Sequence, residues 1–215
     1  MLISPEHIYD EVIGKSEEVI LKKIRECRRY IRDCKKEIER LRFDDLLTFT
    51  EPSVESRLEH ARESLSFAIK ALIESGYKYK PTKIEQKTID FNNKLSDLIQ
   101  ITFTTGDYFS GYLDYVINFN NNSVYITLKK DRDYLKRETC VSKEKFLCEF
   151  KKLYIGEWKR RYITSCNDGL EWELTLKFHN HKTIKYYGIG DYPNNFDELE
   201  LTLDGMLDIN DENID

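Results

Sequence analysis

Residues 20–41 have the sequence ILKKIRECRRYIRDCKKEIERL, in which apolar residues recur at alternating intervals of four and three positions. This spacing is a heptad seam, and it predicts one long amphipathic helix. A second seam with the same alternation follows at 54–72. Thr50 and Ser53 are candidate N-caps of that second helix, and Gly76 is its candidate stop. Two short seams joined by a loop of about ten residues predict an antiparallel helical hairpin.

The chain changes from a helical to a strand-like period after the second seam. A polar segment that contains a proline, 77–82, separates the two patterns, and we place a domain boundary there. Apolar and polar residues then alternate at 99–104, 113–119, 124–128 and 172–178. This alternation predicts β-strands with one buried face. The predicted fold class is therefore α+β, with an N-terminal antiparallel helical hairpin followed by an antiparallel sheet with helices packed on one face.

The second domain is predicted to contain three strands, a helix, two strands and a last helix. Ser142 is the candidate N-cap of the first of these helices, and the last helix is expected to begin near Asn194 and Asn195. The predicted organisation is a helical hairpin at 1–80, an α+β sheet domain at 81–203 and an acidic tail at 204–215. We expect the tail to be mobile and solvated, because it lacks an apolar period.

The net charge of −5 hides an uneven distribution of charged residues. The tail holds five of the 39 acids and no base, so the rest of the chain, with 34 bases, is neutral overall. Residues 15–42 carry eleven bases against six acids, and residues 129–161 carry twelve against six. Basic segments on a neutral body favour an acidic partner, although a charge run is also typical of a solvated face.

Two groups of residues are candidate partner-binding sites. The first is a stripe of bases outside the seam of the first long helix, where intervals of four, three and four place them on one helix face. Its residues are Arg25, Arg29, Arg32 and Lys36, with Arg28 beside them. The second is a basic segment in which we expect an open tryptophan. Its residues are Trp158, Lys159, Arg160 and Arg161.

Arginine pairs bidentately with carboxylates or phosphates, so these residues favour an acidic partner. An acidic protein surface is favoured because the chain as a whole is slightly acidic. A nucleic acid is the alternative, since basic and aromatic side chains also bind single strands. The seam of the helical hairpin could in addition be shared with a second copy of the chain, which would give a homodimer.

The sequence contains no motif that carries catalysis: it has no P-loop, no dinucleotide-binding glycine motif, no zincin motif and no nucleophile elbow. His179 and His181 lie in a predicted hairpin turn, without the following helix that a metal-dependent nuclease of the HNH type needs. We therefore expect a protein that is not an enzyme and that has no cofactor and no metal. A metal-dependent enzyme built on these two histidines is a further alternative.

The five cysteines are odd in number and form no C-x-x-C pair, which favours a reduced, cytoplasmic location. The start of the chain lacks the basic flank and apolar core of a secretory signal. No apolar run approaches the length of a membrane span, so we expect no membrane contact.

Three motifs in the C-terminal half carry a resemblance to a known family. They are GEWK at 156–159, WELTLKF at 172–178 and YPNNFDEL at 192–199. The chain resembles a family of small uncharacterised proteins of Gram-positive bacteria and their mobile elements over roughly residues 86–203. It departs from that family at 188–191, where GIGD stands in place of GSNA, and in its HNH turn at 179–181.

The resemblance implies a shared fold module and no particular chemistry. Together with the small size and the absence of catalytic motifs, it favours a non-enzymatic, protein-binding inhibitor or immunity-type protein. An anti-defence protein of a bacterial mobile element or phage, which inhibits a nuclease, would fit this description.

Overall fold

The computed structural model describes residues 4–44, 52–120, 122–130, 136–164 and 170–208. The chain divides into two compact units, Met1–Lys80 and Pro81–Asp215. We call them the helical unit and the sheet unit.

The described part of the helical unit contains three helices: α1 (Glu6–Val12), α2 (Glu17–Asp44) and α3 (Val54–Glu74). The Ser53 hydroxyl accepts a hydrogen bond from the N–H of Ser56 at 3.2 Å, so it caps the start of α3 as its sequence position predicts.

Most positions of both predicted seams are buried, and the others are partly buried. Ile24 of α2 packs with Leu72, near the end of α3, whereas Cys34 packs with Leu58, near the start of α3. The two helices therefore run antiparallel, as predicted. The seam cysteines are small buried residues whose thiol pKa is raised, mainly by burial.

The sheet unit contains seven strands and three helices among its described residues. The strands are β1 (Leu98–Asp107), β2 (Gly111–Asn120), β3 (Ser123–Lys130), β4 (Lys136–Ser142), β5 (Arg161–Ile163), β6 (Glu171–Phe178) and β7 (Ile184–Ile189). The helices are α4 (Lys83–Lys94), α5 (Lys143–Lys152) and α6 (Phe196–Asp208). A short 3-10 turn, Ile155–Glu157, follows α5.

All seven strands form one sheet in the order β4-β3-β2-β1-β6-β7-β5. Every pairing is antiparallel except the parallel pairing of β5 with β7. Phe103 in the central strand β1 lies opposite Tyr115 of β2 and Leu174 of β6, and all three are buried. Side chains alternate between faces along a strand, so this register builds one continuous apolar face.

Helices cover that apolar face. Phe91 of α4, Phe146 of α5 and Leu199 of α6 belong to the same hydrophobic core as the inward residues of the strands. The opposite face carries polar pairs such as Thr104 with Asp114, whose oxygens are 2.6 Å apart. The predicted α+β architecture is confirmed.

Three elements are absent from the sequence-based prediction, namely α4, β4 and β5. Helix α4 begins with a capping box in which Thr82 and Glu85 bond each other's backbone N–H, and this signal is visible in the sequence. The strands β4 and β5 are the two edges of the sheet. Edge strands bury few side chains, and among the described side chains of β4 only Thr139 is buried, so neither strand shows an apolar alternation.

The expectation of a solvated tail from 204 onward is wrong for its first residues. Helix α6 continues to Asp208, and Met206 and Leu207 within it are buried. The carboxylate of Asp204 accepts a hydrogen bond of 2.8 Å from the buried Tyr115 hydroxyl. The remaining positions, 209–215, lie outside the described residues.

Candidate binding surfaces

The predicted stripe on α2 is exposed. We call Arg25, Arg29, Arg32 and Lys36 the α2 stripe. With a rise of about 1.5 Å per residue, it covers roughly 16 Å of helix. Exposed Lys22 and Arg40 continue the same intervals at its two ends, although the sequence-based prediction left them out.

The α2 stripe is largely free of ion pairs with described residues. Arg32 lies 3.5 Å from the carboxylate of its neighbour Asp33, and both side chains are more than half exposed, so this pair contributes little. Arg28 behaves differently from the stripe. It is half-buried, donates a hydrogen bond of 3.1 Å to the Tyr79 hydroxyl and lies over the Tyr79 ring, so it connects α2 to the segment after α3.

Trp158, predicted as an open contact residue, is buried. Only 3 % of its surface is exposed, and its Nε1 donates a hydrogen bond of 2.9 Å to the Asn195 side chain. Its ring packs edge-on against Trp172 and Tyr186. The irregular turn before Trp158 directs its side chain into the core. The sequence around it has neither a strand nor a helix period, so this burial could not be predicted from the sequence. Trp158 is therefore a core residue and not a partner contact.

The three bases after Trp158 lie against aromatic rings. Arg160 lies over the Tyr186 ring at 4.7 Å, and Arg161 lies over the Tyr187 ring at 5.3 Å. Tyr186 and Tyr187 are successive residues of β7, so their rings point to opposite faces of the sheet. Arg160 and Arg161 are therefore separated by the sheet edge, and the predicted basic segment does not form one surface. Lys159 lies 5.9 Å from the ring of Tyr162.

Arg160 belongs to a cleft beside α4 with a volume of about 380 Å³. We call this the α4 cleft. Its basic side chains are exposed or half-buried, and we call them the rim; its apolar side chains are buried or half-buried, and we call them the floor. The lining consists of Lys83, Gln86, Lys87, Asp90, Phe91, Lys94, Gly156, Arg160, Ile184 and Tyr186. The sequence-based prediction missed the three lysines because it missed α4, although their intervals of four and seven place them on one helix face.

A glycine lets α4 approach the turn that forms one wall of the α4 cleft. A Cβ atom at Gly156 would lie 2.9 Å from the Cα of Thr88 and 3.0 Å from the Cβ of Phe91, both in α4. Contacts this short are not tolerated, so glycine is required at this position for the observed packing.

The pKa of Lys87 is lowered, first by partial burial of its ammonium group and second by the nearby charge of Arg160. The ammonium group donates a hydrogen bond of 2.9 Å to the carbonyl oxygen of Trp158. Lys87 and Arg160 are thus two fixed cations that repel each other.

A second depression, of about 360 Å³, lies on the polar face and has an acidic lining. Its carboxylates already have partners. Glu171 accepts a hydrogen bond from Tyr112 at 3.1 Å, and Glu173 accepts from Thr175 and from Lys185. These contacts lower the pKa of Glu173, with the bond from Thr175 as the largest cause. With two carboxylates, one of which is bonded to Lys185, this depression carries less net charge than the α4 cleft.

Two exposed aromatic residues stand at the tip of the β1–β2 hairpin, and the sequence-based prediction missed them. Tyr108 is 78 % exposed and Phe109 is 81 % exposed. The Asp107 carboxylate accepts hydrogen bonds of 2.7 Å from the N–H groups of Phe109 and Ser110, which holds the turn in shape. The signal in the sequence is a pair of aromatic residues inside a DYFSG turn.

The histidines of the metal alternative are both exposed, and Nε2 of His181 lies 3.4 Å from the Asp97 carboxylate. Within the described ranges, no group of three or more histidine, cysteine, aspartate or glutamate residues could hold a metal ion. In the same described ranges, no helix has both the length and the apolar character needed to cross a membrane.

Comparisons of the chain with protein families, with curated proteins and with solved structures gave no match. The resemblance of residues 86–203 to a family of Gram-positive bacteria and mobile elements therefore stays a prediction.

Proposed function

We propose that this protein is a non-enzymatic binding protein whose α2 stripe contacts an acidic surface of another protein. The observation that carries the proposal is the exposure of Arg25, Arg29, Arg32 and Lys36 along one face of a buried-seam helix. The seam fixes α2 in the helical unit, so the stripe is presented on a rigid support.

The α2 stripe has the chemistry of an interface. Arginine is enriched among the residues that dominate binding free energy, and its guanidinium group bonds a carboxylate with two parallel hydrogen bonds. Arg25, Arg29 and Lys36 form no ion pair with any described residue, so a partner need not displace an internal contact. The exposed aromatic tip formed by Tyr108 and Phe109 adds a second surface of the kind that protein interfaces use.

A protein partner is favoured over a nucleic acid by the charge of the whole chain. The net charge is −5 and the isoelectric point is about 5.6, so the long-range field does not attract a polyanion. The finer proposal of an inhibitor or immunity-type protein, which blocks a nuclease on behalf of a mobile element, rests on the resemblance of residues 86–203.

The test is charge reversal of three arginines of the stripe, in the variant R25E/R29E/R32E. Proteins that co-purify with the tagged parent are identified by mass spectrometry, and the complex is rebuilt from the purified components. We expect the triple variant to lose the rebuilt complex while its melting temperature stays nearly unchanged, because exposed charges contribute little to stability.

The matched control is K15E/K78E/K80E, which makes the same change in net charge at exposed positions of the same unit. It should bind as the parent does. Equal binding by the parent and by the stripe variant would show that the stripe is only a solvated face. Binding of the parent to duplex or single-stranded DNA, with an affinity that falls steeply with salt and depends on the stripe, would establish the nucleic-acid alternative instead.

A further inference from the structure

The lining of the α4 cleft contains more cations than carboxylates. Four cations line it, at Lys83, Lys87, Lys94 and Arg160, against one carboxylate, Asp90. Asp90 already accepts a hydrogen bond of 2.8 Å from Gln86. None of the four cations forms an ion pair within the described part of the chain, in contrast to the acidic depression on the polar face.

Two of these cations are held in place and still have hydrogen-bond donors to offer. The Lys87 ammonium group uses one of its three donors on the Trp158 carbonyl oxygen, and Arg160 uses one of its five on the Lys185 carbonyl oxygen at 3.3 Å. The Arg160 guanidinium carbon also lies over the Tyr186 ring, 4.7 Å from its centroid. These contacts restrict the motion of both groups before any ligand arrives, which reduces the entropy lost on binding.

The charges of Lys87 and Arg160 act on each other, because the guanidinium charge disfavours the charged form of the lysine. An anion between them would remove this repulsion. The floor of the cleft, with Phe91 and Ile184, offers apolar contact to an organic group attached to that anion. Ligand sites in proteins combine a mostly apolar concave surface with a few fixed polar groups in this way.

We propose that the α4 cleft binds a small phosphate monoester, with the dianionic phosphate group held by Lys87 and Arg160 and the organic group lying on the apolar floor. A phosphate group suits the pair because arginine bonds two of its oxygens together while lysine supplies a point charge. The rim lysines Lys83 and Lys94 add attraction for the second negative charge. This site is independent of the α2 stripe.

The test is calorimetric titration of the full chain with adenosine monophosphate, inorganic phosphate and adenosine at about pH 8, where both phosphates are mainly dianionic. We expect saturable one-to-one binding of the two phosphates and none of adenosine. Tighter binding of the nucleotide than of inorganic phosphate would identify an organic phosphate as the ligand. Equal affinities for the nucleotide and for inorganic phosphate would identify inorganic phosphate as the ligand. Failure of both phosphates to bind, or binding of adenosine as tight as that of the nucleotide, overturns the proposal.

The decisive variant is K87Q/R160Q, and the matched control is K159Q/R161Q, which removes the same charge from the flanking positions outside the cleft. We expect the cleft variant to lose about ten- to a hundredfold in affinity, as the loss of charged hydrogen bonds implies, and the control to bind as the parent does. Equal losses in both variants would mean that phosphate binds the general surface charge, and the proposal would be wrong.

A rim variant, K83Q/K94Q, keeps the test valid if the cleft variant does not fold. Neither rim lysine side chain makes a hydrogen bond or ion pair within the described residues, so this variant should keep the parent's melting temperature. We expect its phosphate affinity to fall several-fold. Unchanged affinity in the folded rim variant would place the phosphate elsewhere.

Discussion

The helical unit and the sheet unit bury apolar surface in different ways. In the described residues of the helical unit, the buried seam is lined by aliphatic and small side chains such as Ile24, Cys34 and Ala68. In the sheet unit, one core contains large aromatic rings, including both tryptophans of the chain. A narrow seam leaves most of each helix surface polar and available for contact. A wide sheet instead buries the large aromatic residues that stand out in the sequence.

This difference teaches that a prominent motif is not an exposed one. The basic segment after the 155–157 turn is conspicuous in the sequence, yet its tryptophan is core and its two arginines lie on opposite faces of the sheet. The α2 stripe is less conspicuous, but the seam behind it fixes its exposure. Both tryptophans of the chain lie in the sheet unit, so tryptophan emission reports on the folding of that unit alone.

The largest expected effect is loss of the helical unit in the variant Ile24→Asp. Ile24 is 1 % exposed, and a buried unpaired carboxylate should cost about 4 kcal/mol or more. Far-UV circular dichroism should show lost helix, while the tryptophan emission of the sheet unit stays native. The matched control is Val19→Asp in the same helix, where Val19 is 47 % exposed, and it should change stability little. A native spectrum for Ile24→Asp would mean that the seam is not buried.

The next effect is expected in the sheet unit for Trp158→Ala. Removal of a buried tryptophan should lower the free energy of unfolding by about 3–5 kcal/mol. The emission of the remaining Trp172 follows this transition during denaturant unfolding. Tyr108→Ala, at an exposed aromatic, is the control and should cost far less. If both variants unfold at the parent's denaturant concentration, Trp158 is a surface residue after all.

The smallest effect is a loss of stability of the sheet unit at alkaline pH. Burial raises the pKa of Tyr186 from 10 to about 12. The hydroxyl of Tyr186 therefore loses its proton at a lower pH in the unfolded state than in the folded state. The contribution of this group to the free energy of unfolding is complete below about pH 10 and falls by about 2–3 kcal/mol as the pH rises to 12. The pKa of Tyr115 is raised too, mainly by burial and then by its bond to Asp204.

The variant Tyr186→Phe should remove part of this alkaline loss, measured as unfolding free energy against pH by tryptophan emission. In the helical unit the corresponding groups are the thiols of Cys27 and Cys34, whose pKa burial raises. The stability of the helical unit should therefore begin to fall at a lower pH than that of the sheet unit, at about 8.5. An identical pH profile for Tyr186→Phe and the parent would contradict the assigned role of the tyrosine.

Sequence-based prediction succeeded where a local pattern carries the structure. In α2, α3 and β6 the apolar residues recur with the period of the element, so they all fall on one face. That face is the buried one, and the sequence therefore predicts which residues are buried. It failed for β4 and β5, which are edge strands with little buried surface, and for α4, whose capping box follows a proline in an otherwise polar segment.

The sequence by itself determined the α+β class, the helical hairpin and the α2 stripe, since these depend on residues two to four positions apart. Only the tertiary structure decided that Trp158 is core, that Arg160 and Arg161 part at the sheet edge, and that an α4 cleft exists. Lys87 and the carbonyl oxygen it bonds are 71 positions apart in the chain. No local period connects such residues, because sheet register and helix docking, which arise from the burial of the whole apolar face, bring them together.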